Sequence, residues 1–200
     1  MKLENVDWDS YYDKVDGRPP RPLLRSALTL YPAESTVKPR QAVDLGCGDG
    51  TDTVFLLENG WQVLAIDGEA KAIDRLLAKV PDNLKENLQT RIARFEELTL
   101  PPADLIHASL TLPFCHPNHF AELWQEIVTS LGVNGRFAGQ FFGIHDSWAV
   151  NKHMTFHTEA EVQALFSSFS LEHFHEEDAP GYSASGPKHW HIFTVIARKK

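Results

Sequence analysis

A glycine-rich loop in the first quarter of the chain constrains the fold more than any other feature. The stretch AVDLGCGDGTDT, from Ala42 to Thr53, is an apolar run that ends in an acid and continues into three glycines at alternate positions. Glycines allow the backbone to turn tightly and to approach a ligand closely. A short apolar run that ends at such a loop is typical of a buried strand whose end carries a binding site.

Strands and helices alternate after this loop. Core strands are predicted at 41–45, 61–66, 89–94, 103–109 and 136–142, with helices at 51–59, 69–80, 118–131 and from 158 to about 166 or 168. This pattern predicts a parallel sheet with helices on both faces, a Rossmann-like three-layer α/β sandwich. A turn is predicted at 132–135. Two last strands, 170–176 and 188–198, are joined by a loop at 180–187, so we expect an antiparallel C-terminal hairpin that completes a mostly parallel seven-stranded sheet.

The N-terminal segment has a different composition from the rest of the chain. Aromatic residues and prolines dominate it, and they predict two short helices, the first from Asp9 or Ser10 and the second over about 23–31, followed by a connector. We expect one domain of 200 residues, in which 1–40 form a helical lid and 41–200 form the Rossmann-like core.

Composition limits the partners of this chain. Lys and Arg number 19 against 27 Asp and Glu, a net charge of −8 with neutral histidines. A surplus of acids argues against a nucleic-acid partner. No run approaches the roughly 18 apolar residues that cross a membrane, and the N-terminus lacks a signal-peptide pattern. Two cysteines, Cys47 and Cys115, suit a reducing compartment. We expect a cytoplasmic monomer or homodimer with no nucleic-acid or membrane partner.

Two common nucleotide-binding motifs do not fit the loop. A phosphate loop needs a Lys followed by Ser or Thr, and neither follows here. The dinucleotide fingerprint G-x-G-x-x-G needs its third glycine where position 51 is Thr. The third glycine is instead Gly50, and the acids Asp44 and Asp49 would repel a pyrophosphate. The loop therefore favours a ligand that presents a cation or hydroxyl groups.

The segment VDLGCGDG resembles the first motif of the class I S-adenosylmethionine-dependent methyltransferases, which is an apolar strand followed by an acid and G-x-G-x-G. The resemblance extends from Gln41 to about Phe142, and the layout is similar to the small tellurite-resistance type. It implies an enzyme that transfers a methyl group from S-adenosylmethionine to a small-molecule acceptor. A protein that binds this cofactor without transferase activity is the alternative, followed by an NAD-dependent dehydrogenase.

The resemblance also implies a cofactor site. The loop would hold the methionyl end, the acid after the second strand the ribose hydroxyls, and the residues after the third strand the adenine, with the end of the fourth strand near the methyl group. These residues are Asp44, Gly46, Cys47, Gly48, Asp67, Gly68, Phe95, Glu96, Ala108 and Ser109. Two alternatives stay open: Asp67 as an acid at a helix N-terminus, and Glu96 as part of a solvated acidic pair.

Three aromatic or basic groups are candidates for the acceptor site, in the lid and after the fourth and fifth strands. The substrate-binding candidates are Trp8, Tyr11, Arg18, Arg21, Phe114, His116 and Trp148. The run Thr111–Phe114 keeps only part of the N-P-P-Y type motif of methyltransferases that act on amino groups of bases and glutamines. His145, a base near neutral pH, and Tyr12 are the candidate catalytic residues. Alternatively, the N-terminal residues form only a packed arm, and the histidines are surface residues without a catalytic role.

Histidines at alternate positions near the C-terminus raise the question of a metal site. His173 and His175 face one side of their strand, as His189 and His191 face one side of theirs. If these strands pair antiparallel, four imidazoles could converge, which would suit zinc or nickel. No Cys or carboxylate spacing supports such a site, and we expect no bound metal.

Overall fold

A seven-stranded sheet forms the centre of the computed structural model, which describes residues 8–31, 39–184 and 186–200. The strands are β1 (Gln41–Leu45), β2 (Gln62–Asp67), β3 (Leu88–Ile92), β4 (Ala103–Ala108), β5 (Leu131–Phe142), β6 (Phe169–Ser183) and β7 (Gly186–Lys199). Their order is β3-β2-β1-β4-β5-β7-β6, and only the pairs that involve β7 are antiparallel. The predicted Rossmann-like α/β sheet with an antiparallel C-terminal hairpin is confirmed.

Helices cover both faces of this sheet. They are α1 (Trp8–Val15), α2 (Pro22–Thr29), α3 (Thr51–Glu58), α4 (Ala70–Lys79), α5 (Pro117–Ser130) and α6 (Glu159–Leu165). Short 3₁₀ turns lie at 82–87, 95–97 and 112–114. The capping box is present at α6, where the Thr158 hydroxyl accepts from the Glu161 amide and the Glu161 carboxylate accepts from the Thr158 amide. The connector predicted at 32–39 lies outside the described residues except for its last position.

Each face of the sheet has its own apolar core. On one face α2, α3 and α4 pack through Leu24, Leu56 and Leu76, all fully buried. On the other face α5 contributes Trp124, whose indole packs edge-on against Phe137 at 5.2 Å between ring centroids. Burial of each large apolar side chain contributes about 1.5–3 kcal/mol, so these two layers hold the strand ends in fixed positions. None of the helices in the described part of the chain is long and apolar enough to cross a membrane.

The C-terminal hairpin is longer than the sequence pattern predicts. The loop expected at 180–187 is mostly strand, because β6 and β7 remain paired out to Ser183 opposite Gly186. Pro180 is compatible with this because β6 is an edge strand, where a missing N–H costs no ladder bond on the open side. The turn expected at 132–135 is likewise part of β5, beside an irregularity in its pairing with β4. The long hairpin brings its tip to the site described next.

Candidate functional site

The glycine loop lies where the strand order of the sheet reverses. The chain moves from β1 outward to β2 and β3 on one side, and through β4 and β5 on the other. Ligands of open α/β sheets bind at this point, outside the carboxyl ends of the strands. A cavity of about 680 Å³ opens there, lined by residues from the loop, α1, the ends of β2 and β4, and the hairpin tip. Its volume is in the range of small-molecule sites.

Glycine is required in the loop at two positions for steric reasons. Gly46 and Gly50 have φ of 67° and 82°, a region that side chains disfavour. A Cβ at Gly46 would lie 2.0 Å from Thr111 Oγ1, and one at Gly50 would lie 2.5 Å from Leu76 Cδ1. The backbone of the loop is therefore packed closely against Thr111, after β4, on one side and against Leu76 of α4 on the other.

Asp67, at the end of β2, is oriented toward the cavity by two backbone amides. Its Oδ2 accepts from the Gly48 N–H at 2.9 Å, and its Oδ1 accepts from the Glu69 N–H at 2.9 Å. The residue is buried, and this burial raises the pKa of the carboxyl above its ordinary value. Each oxygen keeps acceptor capacity for a further donor, such as a ligand hydroxyl. The contact with Gly48 also joins the acid to the glycine loop.

Asp44, at the end of β1, lies beneath the loop and is buried. Its Oδ2 accepts from the Thr53 hydroxyl at 2.6 Å. Burial raises the pKa of Asp44 to about 6, because the charged form loses hydration there. At neutral pH this group is a carboxylate in a low-dielectric position, so it would interact strongly with a cation above it.

A second buried acid, Asp52, ties the N-terminal segment to the core. Arg18 donates to both of its carboxylate oxygens, at 3.1 and 3.2 Å, and the Arg21 backbone N–H donates to Oδ1 at 2.8 Å. Burial would raise the pKa of Asp52, but the hydrogen bonds from His107 and Arg18 outweigh it and lower the pKa well below its usual value. The Arg18 guanidinium lines the cavity while it is held by this acid.

His107 on β4 completes this network under the loop. Its Nε2 lies 3.3 Å from Asp52 Oδ2, and the ring is almost fully buried. Its Nδ1 is buried and has no hydrogen-bond partner among the described residues, although the side chain lines the cavity. Such a buried polar atom without a partner is unusual in a folded protein.

Helix α1 covers the cavity with aromatic side chains. Trp8, Tyr11 and Tyr12 line it, and the Tyr12 ring packs against Gly48, 3.3 Å from where a Cβ of that glycine would lie. Burial raises the pKa of Tyr12 far above its ordinary value, so the phenol stays protonated. The raised pKa disfavours a role as a base for Tyr12, one of the two catalytic candidates, and leaves it as a hydrogen-bond donor.

Three ion pairs attach α1 to α4. Asp9, Asp13 and Asp16 pair with Lys71, Arg75 and Lys79 respectively. The basic residues recur every four positions and so lie on one face of α4. On the opposite side of the mouth, Lys14 Nζ donates to the Ala184 carbonyl at the hairpin tip, at 3.0 Å. Helix α1, which covers the cavity, is therefore attached to α4 on one side and to the hairpin tip on the other.

A row of aromatic rings forms the far end of the cavity. Trp8 meets Phe114 edge-on at 5.1 Å between ring centroids, and Phe114 lies 6.4 Å from Trp148. Trp148 is in turn 6.0 Å from Phe142 and 5.9 Å from Trp190. We call Phe142, Trp148 and Trp190 the aromatic wall; all three line the cavity.

Most of the predicted site residues come together at this cavity. Those that line it are Asp44, Gly46, Cys47, Gly48, Asp67, Gly68, Phe95, Glu96, Ser109, Trp8, Tyr11, Tyr12, Arg18, Arg21, Phe114 and Trp148. Ala108, His116 and His145 lie elsewhere. Ala108, the last residue of β4, belongs to the apolar core on one face of the sheet. His116 Nδ1 accepts from the Asn118 N–H at the start of α5. His145 Nδ1 contacts Asp178 Oδ2 at 2.8 Å on the hairpin, so the predicted base is outside the cavity.

Several lining residues are missing from the sequence analysis. They include Asp52, His107, Tyr182 and Trp190. Trp190 could have been found from strand alternation, because the pattern that puts His189 and His191 on one face of β7 puts Lys188 and Trp190 on the other. Leu110 has a φ of 55°, an unusual conformation that no sequence signal predicts.

The histidine pairs of the hairpin do not converge. His173 pairs with Ile196 and His175 with Thr194, whereas His189 and His191 pair with Pro180 and Asp178 much nearer the tip. His191 instead joins His145 and Asp178, whose donor atoms lie within 4.8 Å of one another. Both nitrogens of His191 are engaged, since Nδ1 accepts from the His145 N–H at 3.0 Å and Nε2 contacts Glu176 Oε1 at 2.8 Å. This fixes the tautomer and orders the hairpin.

The fold is that of the class I S-adenosylmethionine-dependent methyltransferases, so the fold that the resemblance implies is confirmed. Residues 42–135 match the family model of a methyltransferase domain. Among solved structures, TehB from Haemophilus influenzae is similar at 17% identity with a TM-score of 0.70, over 89% of this chain and 61% of TehB. This chain therefore spans less than two thirds of TehB.

Two other solved structures are similar over nearly the whole chain. One is the 1,6-didemethyltoxoflavin-N1-methyltransferase of Burkholderia thailandensis, solved with 1,6-didemethyltoxoflavin and S-adenosylhomocysteine, at 22% identity and a TM-score of 0.65 over 96% of this chain and 84% of that one. The other is the N-methyltransferase NodS of Bradyrhizobium japonicum WM9 with S-adenosylhomocysteine, at 15% identity and a TM-score of 0.68 over 96% of each chain. Both of these neighbouring structures contain S-adenosylhomocysteine.

Proposed function

We propose that this protein is an S-adenosylmethionine-dependent methyltransferase that acts on a small molecule. The observation that carries the proposal is the hydrogen bond between Asp67 and Gly48, which joins a ribose-type acid to a G-x-G-x-G loop at the switch point of the sheet. In a dinucleotide site the loop would face a pyrophosphate, which the buried Asp44 opposes. An ammonium or sulfonium group would be stabilised there.

The residues present fit this cofactor. Asp67 has acceptor capacity for the two ribose hydroxyls, and the closely approached backbone of Gly46 and Gly48 suits the methionyl end. Phe95 and Glu96 line the same cavity and suit the adenine. The cofactor would supply an electrophilic methyl group: an acceptor lone pair bonds to the methyl carbon as the carbon–sulfur bond breaks, and that electron pair stays on sulfur in S-adenosylhomocysteine.

The protein would contribute to this reaction by aligning the reactants and by excluding water from them. Helix α1 covers the cavity with Trp8, Tyr11 and Tyr12, which would remove water from the reacting atoms. We propose that residues 8–31 act as the lid of a single domain. Neither catalytic candidate suits the removal of a proton, since His145 lies outside the cavity and the Tyr12 phenol stays protonated. The acceptor would therefore present a lone pair that needs no protein base.

The partner and location remain proposals drawn from the sequence. We infer a cytoplasmic protein, monomeric or homodimeric, from the charge of −8 and the two buried free cysteines. A small-molecule acceptor is favoured because the cavity is a partly covered pocket under α1, and the B. thailandensis neighbour binds a small heterocycle. The tellurite-resistance type stays a prediction, with an oxyanion as the corresponding acceptor.

Calorimetry with S-adenosylmethionine and S-adenosylhomocysteine tests the proposal. We expect one site per chain with a dissociation constant in the micromolar range, and no measurable binding of NAD. Turnover is measured as S-adenosylhomocysteine release with panels of thiols, heterocycles, small amines and chalcogen oxyanions. Absence of cofactor binding would contradict the proposal, while binding without release from any panel would favour the sensor or subunit alternative.

A further inference from the structure

A buried ion pair lies directly behind the aromatic wall. Lys188 and Asp146 contact each other, and their side chains are only 1% and 0% exposed. Asp146 is fixed by the backbone, because its Oδ1 accepts from the Trp148 N–H at 2.9 Å and its Oδ2 accepts from the His191 N–H at 3.3 Å. Neither residue lines the cavity, whereas the rings in front of them do.

The Lys188 ammonium packs against the three rings of the aromatic wall from the side that does not line the cavity. Its Nζ lies 4.0 Å from the ring centroid of Trp190, 4.2 Å from that of Trp148 and 5.0 Å from that of Phe142. Rings attract a cation through the negative charge of their faces, and three such rings usually form a site for a quaternary or protonated amine. In this protein the chain's own cation fills that position, with Asp146 as its counter-ion.

This arrangement sets the charge that the wall accepts from the cavity. A cation on the cavity side would be repelled by Lys188 through a medium of low dielectric. A planar neutral or anionic group could stack on the exposed parts of the same rings without that cost. Trp148 and Trp190 are half-buried, so part of each ring is open to the cavity.

We propose that the aromatic wall is the acceptor subsite, that it takes a planar aromatic or heteroaromatic molecule without positive charge, and that Lys188 is the residue that excludes cations. The proposal rests on the methyltransferase function proposed above, because it assigns the acceptor end of the same cavity. It predicts that small oxyanions and aliphatic amines are poor ligands, since neither can stack on the rings.

The test compares two probes of nearly the same shape. Protein saturated with S-adenosylhomocysteine is titrated with isoquinoline and with N-methylisoquinolinium at a pH where isoquinoline is neutral, and binding is followed by calorimetry and by tryptophan fluorescence. We expect isoquinoline to bind at least about tenfold more tightly. Equal or tighter binding of the cation, or binding of tellurite without binding of isoquinoline, would overturn the proposal.

Two variants locate the effect. The double variant Lys188→Met, Asp146→Asn removes both charges at similar volume, and we expect it to bind N-methylisoquinolinium at least about fivefold more tightly than the wild type does. Trp148→Leu should lose isoquinoline binding about tenfold, whereas Trp61→Phe, in the core away from the cavity, should not change it. All should bind S-adenosylhomocysteine as the wild type does.

Failures of the two proposals are distinguishable. If the wild type does not bind S-adenosylhomocysteine, the methyltransferase function is wrong. If it binds S-adenosylhomocysteine but shows no preference for the neutral probe, only the acceptor class is wrong. The comparison of the two probes uses wild-type protein, so it holds even where a variant folds poorly; an unchanged preference in a folded double variant would refute the role of Lys188.

Discussion

The two ends of the cavity are built in different ways. At the end proposed for the cofactor, the cavity is lined by the backbone of the glycine loop and by the acids Asp44 and Asp67, which lie at the ends of two adjacent strands. At the acceptor end they are large rings from α1, the turn after β4, the end of β5 and β7. Trp8 and Trp190, near opposite ends of the chain, belong to the same surface.

The two ends of the cavity should differ in how well they tolerate substitutions. The cofactor end depends on backbone shape, with glycines that admit no Cβ, so few substitutions preserve it. The acceptor end depends on side chains that half-fill an open space, where a substitution changes the shape of the pocket without altering the fold. One end can therefore stay constant while the other adapts to a new acceptor, and the predictions below test this division.

The largest expected effect is at Asp67. Asp67→Ala removes the acceptor for the ribose and the support of the Gly48 amide, and we expect S-adenosylhomocysteine to bind roughly 30- to 100-fold more weakly. Calorimetry measures the loss, with Asp74→Ala, an exposed acid on α4, as the control. A change of less than threefold would mean that Asp67 is only an acid at a helix N-terminus.

A matched pair of glycines tests the steric requirement of the loop. Gly50 and Gly60 have nearly the same φ, 82° and 79°, but a Cβ meets Leu76 at the first and nothing within 4 Å at the second. Gly60→Ala should cost about 1–2 kcal/mol of unfolding free energy for the backbone alone. Gly50→Ala should cost about 1–3 kcal/mol more because it overpacks against α4. Urea denaturation measures both, and equal losses would contradict the close packing of the loop.

Asp44 should connect pH to stability. Its pKa is raised by burial to about 6 from 3.8, so between these values the folded state binds more protons than the unfolded state. The linkage makes stability fall as pH rises through this interval, and the deficit persists at neutral pH. Asp44→Asn should therefore be up to roughly 2–3 kcal/mol more stable at pH 7, with little gain near pH 4.

The same variant should bind the cofactor more weakly, because it loses the buried negative charge near the cationic end. Urea denaturation at several pH values and calorimetry on one preparation separate the two effects. A variant that is less stable than the wild type at neutral pH would show that Asp44 supports the fold rather than the ligand. Asp74→Asn, an exposed acid, should change neither quantity.

The smallest expected effect is on the attachment of α1, the helix that covers the cavity. The three ion pairs between α1 and α4 are largely exposed, so each contributes only about 0.2–1 kcal/mol and weakens with salt. Raising NaCl from low to high concentration should speed S-adenosylhomocysteine dissociation about two- to fivefold. In the triple variant Asp9→Asn, Asp13→Asn, Asp16→Asn, dissociation should be fast already at low salt. Stopped-flow fluorescence measures the dissociation rate in both proteins. A salt dependence that persists in the triple variant would show that salt acts on the cofactor end and not on these ion pairs.

Local patterns predict most of the fold. The strand at 41–45, the helices and the capping box at Thr158 follow from apolar spacing and end residues, which act over a few positions. The hairpin is underestimated because Pro180 and Gly181 are turn residues by propensity, and only their place on an edge strand makes them compatible with pairing. His145 illustrates a second limit: a base after β5 is expected in the cavity, yet the loop turns it toward Asp178.

The sequence alone predicted the ligand class at one end of the cavity, because G-x-G-x-G after a buried acid is a contiguous motif whose backbone geometry is local. The proposal for the other end depends on the tertiary structure. Lys188 and Asp146 are 42 positions apart, and their burial behind rings from two strands and a loop depends on the register of β5 against β7. Interactions between distant side chains depend on how the layers pack, and the spacing of residues along the chain does not contain that information.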